Sequence, residues 1–214
     1  MCGNRLSVGE KFICVSCQHD LPRTRLYKKP ENKLVELFGG LLPIVNASSF
    51  IYYSRGSGSR SIVLNLKYYH TPSIGVYMGR MMATEHKPSG FFDGVDMIIP
   101  IPLARRRMRQ RGYNQVEALA HGVSQVTGIP VVINAVERVV DNPSQTTLSP
   151  LERHGNVSSI FKVPDPELLR GKHILLMDDV VTTGATLKAC GEAIVASVGD
   201  VKISVLTLAM SPSI

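Results

Sequence analysis

Long apolar runs are missing from this sequence. The longest early stretch, residues 34–45, is broken by Gly39, Gly40 and Pro43 and falls short of the roughly 20 residues a helix needs to cross a bilayer. No membrane span is expected. The first residues also lack an apolar segment followed by a small-residue cleavage site, the form of a secretory signal, so a cytoplasmic protein is expected. Cysteine is scarce, four residues in 214, and without an export signal disulfides are not their expected use. There is no G-x-x-x-x-G-K-S/T segment, the loop with which P-loop ATPases hold nucleotide phosphates. Internal repeats and low-complexity tracts are absent as well.

What is present fits a globular chain. With 214 residues and 44% apolar content, it can bury one good core, as one domain or one domain plus an appendage. A net charge of +7 and a pI near 9.4 favour an acidic partner, either a phosphorylated small molecule or nucleic acid. Solubility alone would give the same charge.

Short runs rich in Ile and Val at 49–53, 97–99, 131–133, 174–177 and 203–208 read as strands buried on both faces. Helical segments are expected at 61–68, 114–127 and 186–198, the second stopped by Gly128 and Pro130. Residues 26–43 read as a connector with a short helix around 32–38. This alternation predicts an α/β fold with a parallel sheet flanked by helices.

The segment ILLMDDVVTTGAT, residues 174–186, ends an apolar run in two adjacent aspartates and a Thr-rich turn. In an open parallel sheet, ligands bind beyond the carboxyl ends of the strands, so Asp178 and Asp179 fall at a site. Gly184 permits a tight turn in which the backbone N–H groups of Thr182, Thr183, Gly184, Ala185 and Thr186 face one point at a helix start, a place for a phosphate. Carboxylates would repel that phosphate directly. Asp178 and Asp179 are therefore expected to accept hydrogen bonds from sugar hydroxyls nearby, with magnesium reducing the repulsion. Together these features describe a ribose 5-phosphate cradle.

A Cys-x-x-Cys pair, Cys14 and Cys17, reads as half of a metal knuckle, and Cys2-Gly3 resembles the second cysteine of another. Three thiolates leave a four-coordinate zinc one ligand short, to be supplied by His19, an upstream residue or water. Unliganded thiols in a frayed terminus are the alternative. Cys190, among Ala and Ile, is expected in the core. Residues 141–171 carry few apolar side chains and four prolines; a loop this long reads as a lid or as a plain surface insertion. The chain thus divides into a cysteine-rich segment, 1–25, and a main domain, 26–214, with the lid at about 141–170.

LLMDDVVTTGAT resembles the binding motif of type I phosphoribosyltransferases. More closely, PIPLARRRMRQRGYNQVEALA, SQTTLSPLERHGNVSSIF and LKYYH at 66–70 resemble the ComF family of phosphoribosyltransferase-like proteins, whose members usually begin with a four-cysteine zinc ribbon. The resemblance implies binding of 5-phosphoribosyl 1-diphosphate with magnesium. Asp178 and Asp179 would then form the catalytic acidic pair, Thr182 to Thr186 the 5-phosphate loop, and Pro100, Ile101, Pro102 and Arg105 the diphosphate loop, with Arg111 beside it. Gln145, Arg153 and Asn156 would belong to a lid that closes over the diphosphate and excludes water. It further implies zinc at Cys2, Cys14 and Cys17, although the first ribbon cysteine is missing, and a role in DNA uptake beside a helicase.

Five arginines in seven residues, from Arg105 to Arg111, cannot all face one small ligand. Arg106, Arg107 and Arg109 are the expected contacts to single-stranded DNA, since clustered arginines attract a polyanion without reading its sequence. Aromatic residues for stacking bases are few nearby: Tyr113, Tyr68 and Tyr69. Two readings result, a magnesium-dependent phosphoribosyltransferase and a non-catalytic ligand-binding accessory protein in DNA uptake.

Overall fold

The computed structural model describes residues 2–53, 58–68, 71–140 and 160–214. Strands β1 (Ile44–Tyr52), β2 (Met97–Pro100), β5 (His173–Val181) and β6 (Lys202–Met210) form a parallel sheet in the order β1-β6-β5-β2. A short antiparallel pair, β3 (Glu137–Arg138) and β4 (Phe161–Lys162), stands apart. The helices are α1 (Val15–His19), α2 (Lys33–Phe38), α3 (Gly58–Tyr68), α4 (Pro72–His86), α5 (Arg105–Arg111), α6 (Gln115–Thr127) and α7 (Ala185–Val198).

Successive residues of the central strands feed opposite layers. Ile99, Leu176 and Val205 join α2 and α7 in one core, while Ile98, Leu175 and Leu206 join α3, α4 and α6 in the other. This is why these strands read as continuous apolar runs instead of alternating ones. The cysteine segment also contributes to the second core through Ile13, Cys17 and Leu21.

Helix ends follow local chemistry. Asn114 caps α6, its Oδ1 accepting from the N–H of Val116 at 3.0 Å, and Gly128 ends the helix in the left-handed region. Asn32 caps α2 in the same way, and its Nδ2 donates to the Ala47 carbonyl at 3.0 Å, fixing α2 against β1. Helix α4 has no counterpart among the sequence-based expectations. Its apolar stripe is interrupted by Gly75 and Gly79, whose role is close approach: a Cβ at Gly79 would lie 2.0 Å from the Leu119 carbonyl oxygen of α6.

One expectation needs correction. Residues 131–133 form no strand; Val131 makes a single parallel bridge to Ile98, because Pro130 has no N–H for a ladder and the chain turns away at residue 133. Of the segment expected as a lid, about 141–170, residues 141–159 lie outside the described residues, and Phe161, Val163 and Leu169 are core residues. Gln145, Arg153 and Asn156 lie outside the described residues. No described helix is long and apolar enough to cross a membrane.

Candidate phosphoribosyl site

A cavity of about 380 Å³ opens at the carboxyl ends of β5 and β2. Its walls include Lys67, Tyr68, Pro102, Arg107, Arg111 and Asp178, and Asp179, Gln115, Arg138 and Thr186 complete the polar lining. A niche of about 50 Å³ beside it is lined by Asp178 and residues 180–187. The two aspartates and the Thr-rich loop therefore share one site.

The loop geometry comes from Gly184, at φ +74° directly before α7. An added Cβ would meet Leu37 and Phe38 at 3.0 Å, so α2 packs under the turn and holds it at the mouth of α7. Thr182, Thr183, Ala185 and Thr186 are exposed. The first N–H groups of a helix have no intrahelical acceptor and carry the positive end of its dipole, and the residues that start α7 line the niche.

Asp179 is buried and held from two directions. Gln115 Nε2 donates to its Oδ2 at 2.6 Å, and Lys67 Nζ lies 3.1 Å from the same oxygen. Because an ionised carboxylate only accepts, this contact fixes the Gln115 amide, and its Oε1, buried and without a partner among the described residues, is left as an acceptor. Asp178 accepts from the Asp179 N–H at 2.8 Å. Burial, reinforced by the charge of Asp179, pushes the Asp178 carboxyl up to about 7. Such a group gains from any bound species that brings positive charge or hydroxyl donors.

Cations also line the cavity. Arg111 is buried, its guanidinium 5.5 Å from the Tyr68 ring centroid, and its Nη1 has no partner among the described residues. A buried, unmatched guanidinium N–H is costly, and phosphate oxygens would match it. The turn after β2 is fixed by the Ile101 N–H donating to the Met177 carbonyl at 2.9 Å and by Asn114 Nδ2 donating to the Ile101 carbonyl at 3.1 Å.

The sequence-based site residues separate on these walls. Asp178, Asp179, Ile101, Pro102, Arg111, Thr182 and Thr186 line the cavity, and Thr183, Gly184 and Ala185 line the niche; Pro100 ends β2. Arg105, expected at the diphosphate, is exposed at the start of α5 and is not part of the lining. Arg107, expected on DNA, lines the cavity, and Arg106, Arg107 and Arg109 are all exposed. Lys67, Gln115 and Arg138 were not singled out from sequence. Lys67 lies in the LKYYH motif and Gln115 in RGYNQ, so a signal existed without a role attached.

Cys2, Cys14 and Cys17 come together: their sulfurs lie within 4.8 Å of one another, and Cys2 and Cys14 are 3.7 Å apart. Tetrahedral zinc with bonds of about 2.3 Å places sulfurs about 3.8 Å apart, so the trio can hold a metal ion. His19 is outside the cluster, pointing to Asp20 at 3.3 Å. Among the described residues no fourth ligand joins the three.

Residues 111–213 match the phosphoribosyl transferase domain family. The chain is 37% identical over 93 residues to competence protein F of Haemophilus influenzae, covering 43% of this chain and 41% of that protein. It is 30% identical over 129 residues to the DNA utilization protein YhgH of Escherichia coli, covering 59% and 56%. With competence protein ComFC of Bacillus subtilis it shares 29% over 115 residues, 54% and 45%. Residues 111–213 thus match a phosphoribosyl transferase domain, and the chain is similar to competence proteins F and ComFC. It spans about half the length of the curated relatives it matches. The two aspartates and the loop at Gly184 lie on one strand–turn–helix unit, β5 to α7.

Proposed function

We propose that this protein binds 5-phosphoribosyl 1-diphosphate together with magnesium and transfers the phosphoribosyl group to an acceptor. The observation that carries this reading is the meeting, in one cavity, of Asp178 and Asp179, the loop at Gly184, and the unmatched guanidinium N–H of Arg111. The 5-phosphate takes the N–H groups at the start of α7. The ribose hydroxyls donate to Asp178, Asp179 and the Gln115 Oε1. The diphosphate lies against Arg111, Arg107 and the turn at Ile101 and Pro102.

The donor set suits magnesium, a hard cation that takes one or two carboxylates and substrate oxygens while keeping waters. When bound, it would neutralise charge developing on the leaving diphosphate. In the transfer, the bond from ribose C1 to the diphosphate oxygen breaks with its electron pair leaving on oxygen. A nitrogen of the acceptor forms the new bond to C1 and gives up its proton. This chain's residues position and stabilise; the site asks little acid–base work of them. The test is release of diphosphate on adding nitrogen nucleophiles to the magnesium-loaded complex. Tight binding without release for every acceptor would leave the accessory-protein reading in place of the enzyme.

The second reading, contact with single-stranded DNA, draws on Arg106 and Arg109 exposed on α5 and on relatives named for competence and DNA utilization. Zinc at Cys2, Cys14 and Cys17 fits this reading as a structural ion. Cys17 is pushed up to about 11 by hydrogen bonding to the other two thiols, and a bound dication would reverse that penalty.

A further inference from the structure

Lys67 stands on the border between two differently charged spaces. Beside the phosphoribosyl cavity lies a second chamber of about 300 Å³, lined by Lys67, Tyr68, Arg107, Gln110 and Arg111. All of these but Gln110 also line the first cavity, whereas Asp178 and Asp179 line only the first. Among the described residues, the chamber is walled by Lys67, Arg107 and Arg111 with no carboxylate to balance them. The Lys67 ammonium nevertheless lies on the acidic side, 3.1 Å from Asp179 Oδ2, in a pair whose side chains are 22% and 9% exposed.

The backbone beneath Lys67 is fixed, and its side chain has somewhere else to go. Ile62, Val63 and Leu66 bury α3 in the second core, and the Tyr113 hydroxyl donates to the Leu66 carbonyl. From that anchored turn a flexible four-carbon stem carries the charge. Asp179 does not need Lys67 to hold its position, because Gln115 Nε2 donates to the same oxygen at 2.6 Å. A carboxylate this buried does need a countercharge. Lys67 is therefore free to leave only when another cation takes its place. While it stays, it opposes a dication at the aspartates, since like charges at contact distance repel strongly in a partly desolvated site.

We propose that Lys67 couples the uptake of metal to that of diphosphate. It neutralises Asp179 in the free protein, gives that oxygen up when magnesium enters, and swings to the diphosphate oxygens in the basic chamber, where an ammonium–phosphate pair replaces the ammonium–carboxylate pair. Metal alone is opposed by the lysine; ligand alone would strip Asp179 of its cation. The two are taken up together, each raising the affinity for the other. This role for Lys67 rests on the phosphoribosyl reading of the cavity.

The variant for the test is Lys67→Gln, which keeps a donor for Asp179 without the charge. Manganese, which suits the same oxygen donors as magnesium, is titrated alone into each protein and its free fraction read by electron paramagnetic resonance. Phosphoribosyl diphosphate is titrated calorimetrically in magnesium. Lys67→Gln is expected to bind manganese at least about fivefold more tightly than the wild type and phosphoribosyl diphosphate at least about tenfold more weakly. These opposite signs mark a counter-ion, since loss of a merely structural residue weakens both. Lys67→Arg, which keeps the charge, is expected to return manganese affinity to the wild-type level. In the wild type, the Lys67 ammonium signal in heteronuclear NMR, assigned by its absence from Lys67→Arg, should shift when ligand and magnesium are added together; this readout stands even if Lys67→Gln fails to fold. Manganese affinity in Lys67→Gln no higher than in the wild type overturns the proposal, as does an ammonium signal unchanged in the saturated complex. Wild-type phosphoribosyl diphosphate affinity in Lys67→Gln overturns the hand-over and leaves the assignment of the cavity intact. No binding of phosphoribosyl diphosphate by the wild type overturns both.

Discussion

Replacing Asp178 by Asn should make the free protein more stable while weakening its ligand site. The side chain sits where burial and the neighbouring Asp179 charge raise its carboxyl from 3.8 to about 7. In the unfolded chain the carboxyl ionises at its ordinary value, so between pH 4 and 7 the folded state holds a proton that the unfolded state has lost. Stability from this group is therefore full below pH 4, falls as the pH rises to about 7, and is flat above. The rise corresponds to about 4 kcal/mol at full effect. Asparagine cannot ionise, so about 2 to 4 kcal/mol is the expected gain for Asp178→Asn at pH 8. Asparagine keeps the acceptor for the Asp179 N–H, so the 2.8 Å hydrogen bond survives. Urea unfolding of both proteins at pH 8 and pH 4.5 measures this: a clear gain for the variant at pH 8 that shrinks at pH 4.5. A variant equal to or less stable than wild type at pH 8 would refute the reasoning. Saturating phosphoribosyl diphosphate and magnesium should then narrow the difference, since ligand at about 100 times Kd adds about 2.7 kcal/mol to the protein that still binds it.

Three further outcomes are expected. Gly184→Val should reduce phosphoribosyl diphosphate affinity at least about tenfold, about 1.4 kcal/mol, in a titration, because φ +74° and the 3.0 Å approach to Leu37 and Phe38 both oppose a β-branched side chain; wild-type affinity would mean the loop holds no phosphate. Gly79→Ala should cost about 2 kcal/mol or more by forcing α4 away from α6, read as a fall in Tm of roughly 4 to 8 °C. His86, between Ser48 and the Met82 carbonyl, is pushed down to about 4 by burial. The unfolded chain therefore takes a proton that the fold refuses, and stability from this residue is lost as pH falls from about 6.5 to about 4, by about 3 kcal/mol; His86→Gln should flatten that acid limb in urea titrations across this range.

How much of this was legible in the sequence depends on the distance over which each feature is set. The strand at 174–177 and the helix at 186–198 were readable because burial on both faces and a glycine turn leave local marks. The helices at 114–127 and around 32–38 were readable too, while the Asn114 and Asn32 caps that start them were not read. Long-range pairing left no such mark. Lys67 and Gln115 meet Asp179 only because α3, α6 and β5 converge, and neither residue type announces that partner. The arginine run is a different case: read as a run, it has no phase. Once α5 begins at Arg105, residues four apart share a face, so Arg107 and Arg111 turn into the cavity together while Arg105 and Arg109 share another side. Helix α4 escaped because the glycines that bring it against α6 also break its apolar pattern.

The most direct test of the phosphoribosyl reading is calorimetric titration of the wild type and of Asp178→Asn/Asp179→Asn with 5-phosphoribosyl 1-diphosphate, with and without magnesium. The geometry predicts one saturable site in the wild type that is tighter with magnesium, and at least a tenfold loss, about 1.4 kcal/mol, in the folded double variant. No heat of binding to the wild type, or equal affinity in both proteins, would contradict the assignment of this cavity to phosphoribosyl diphosphate.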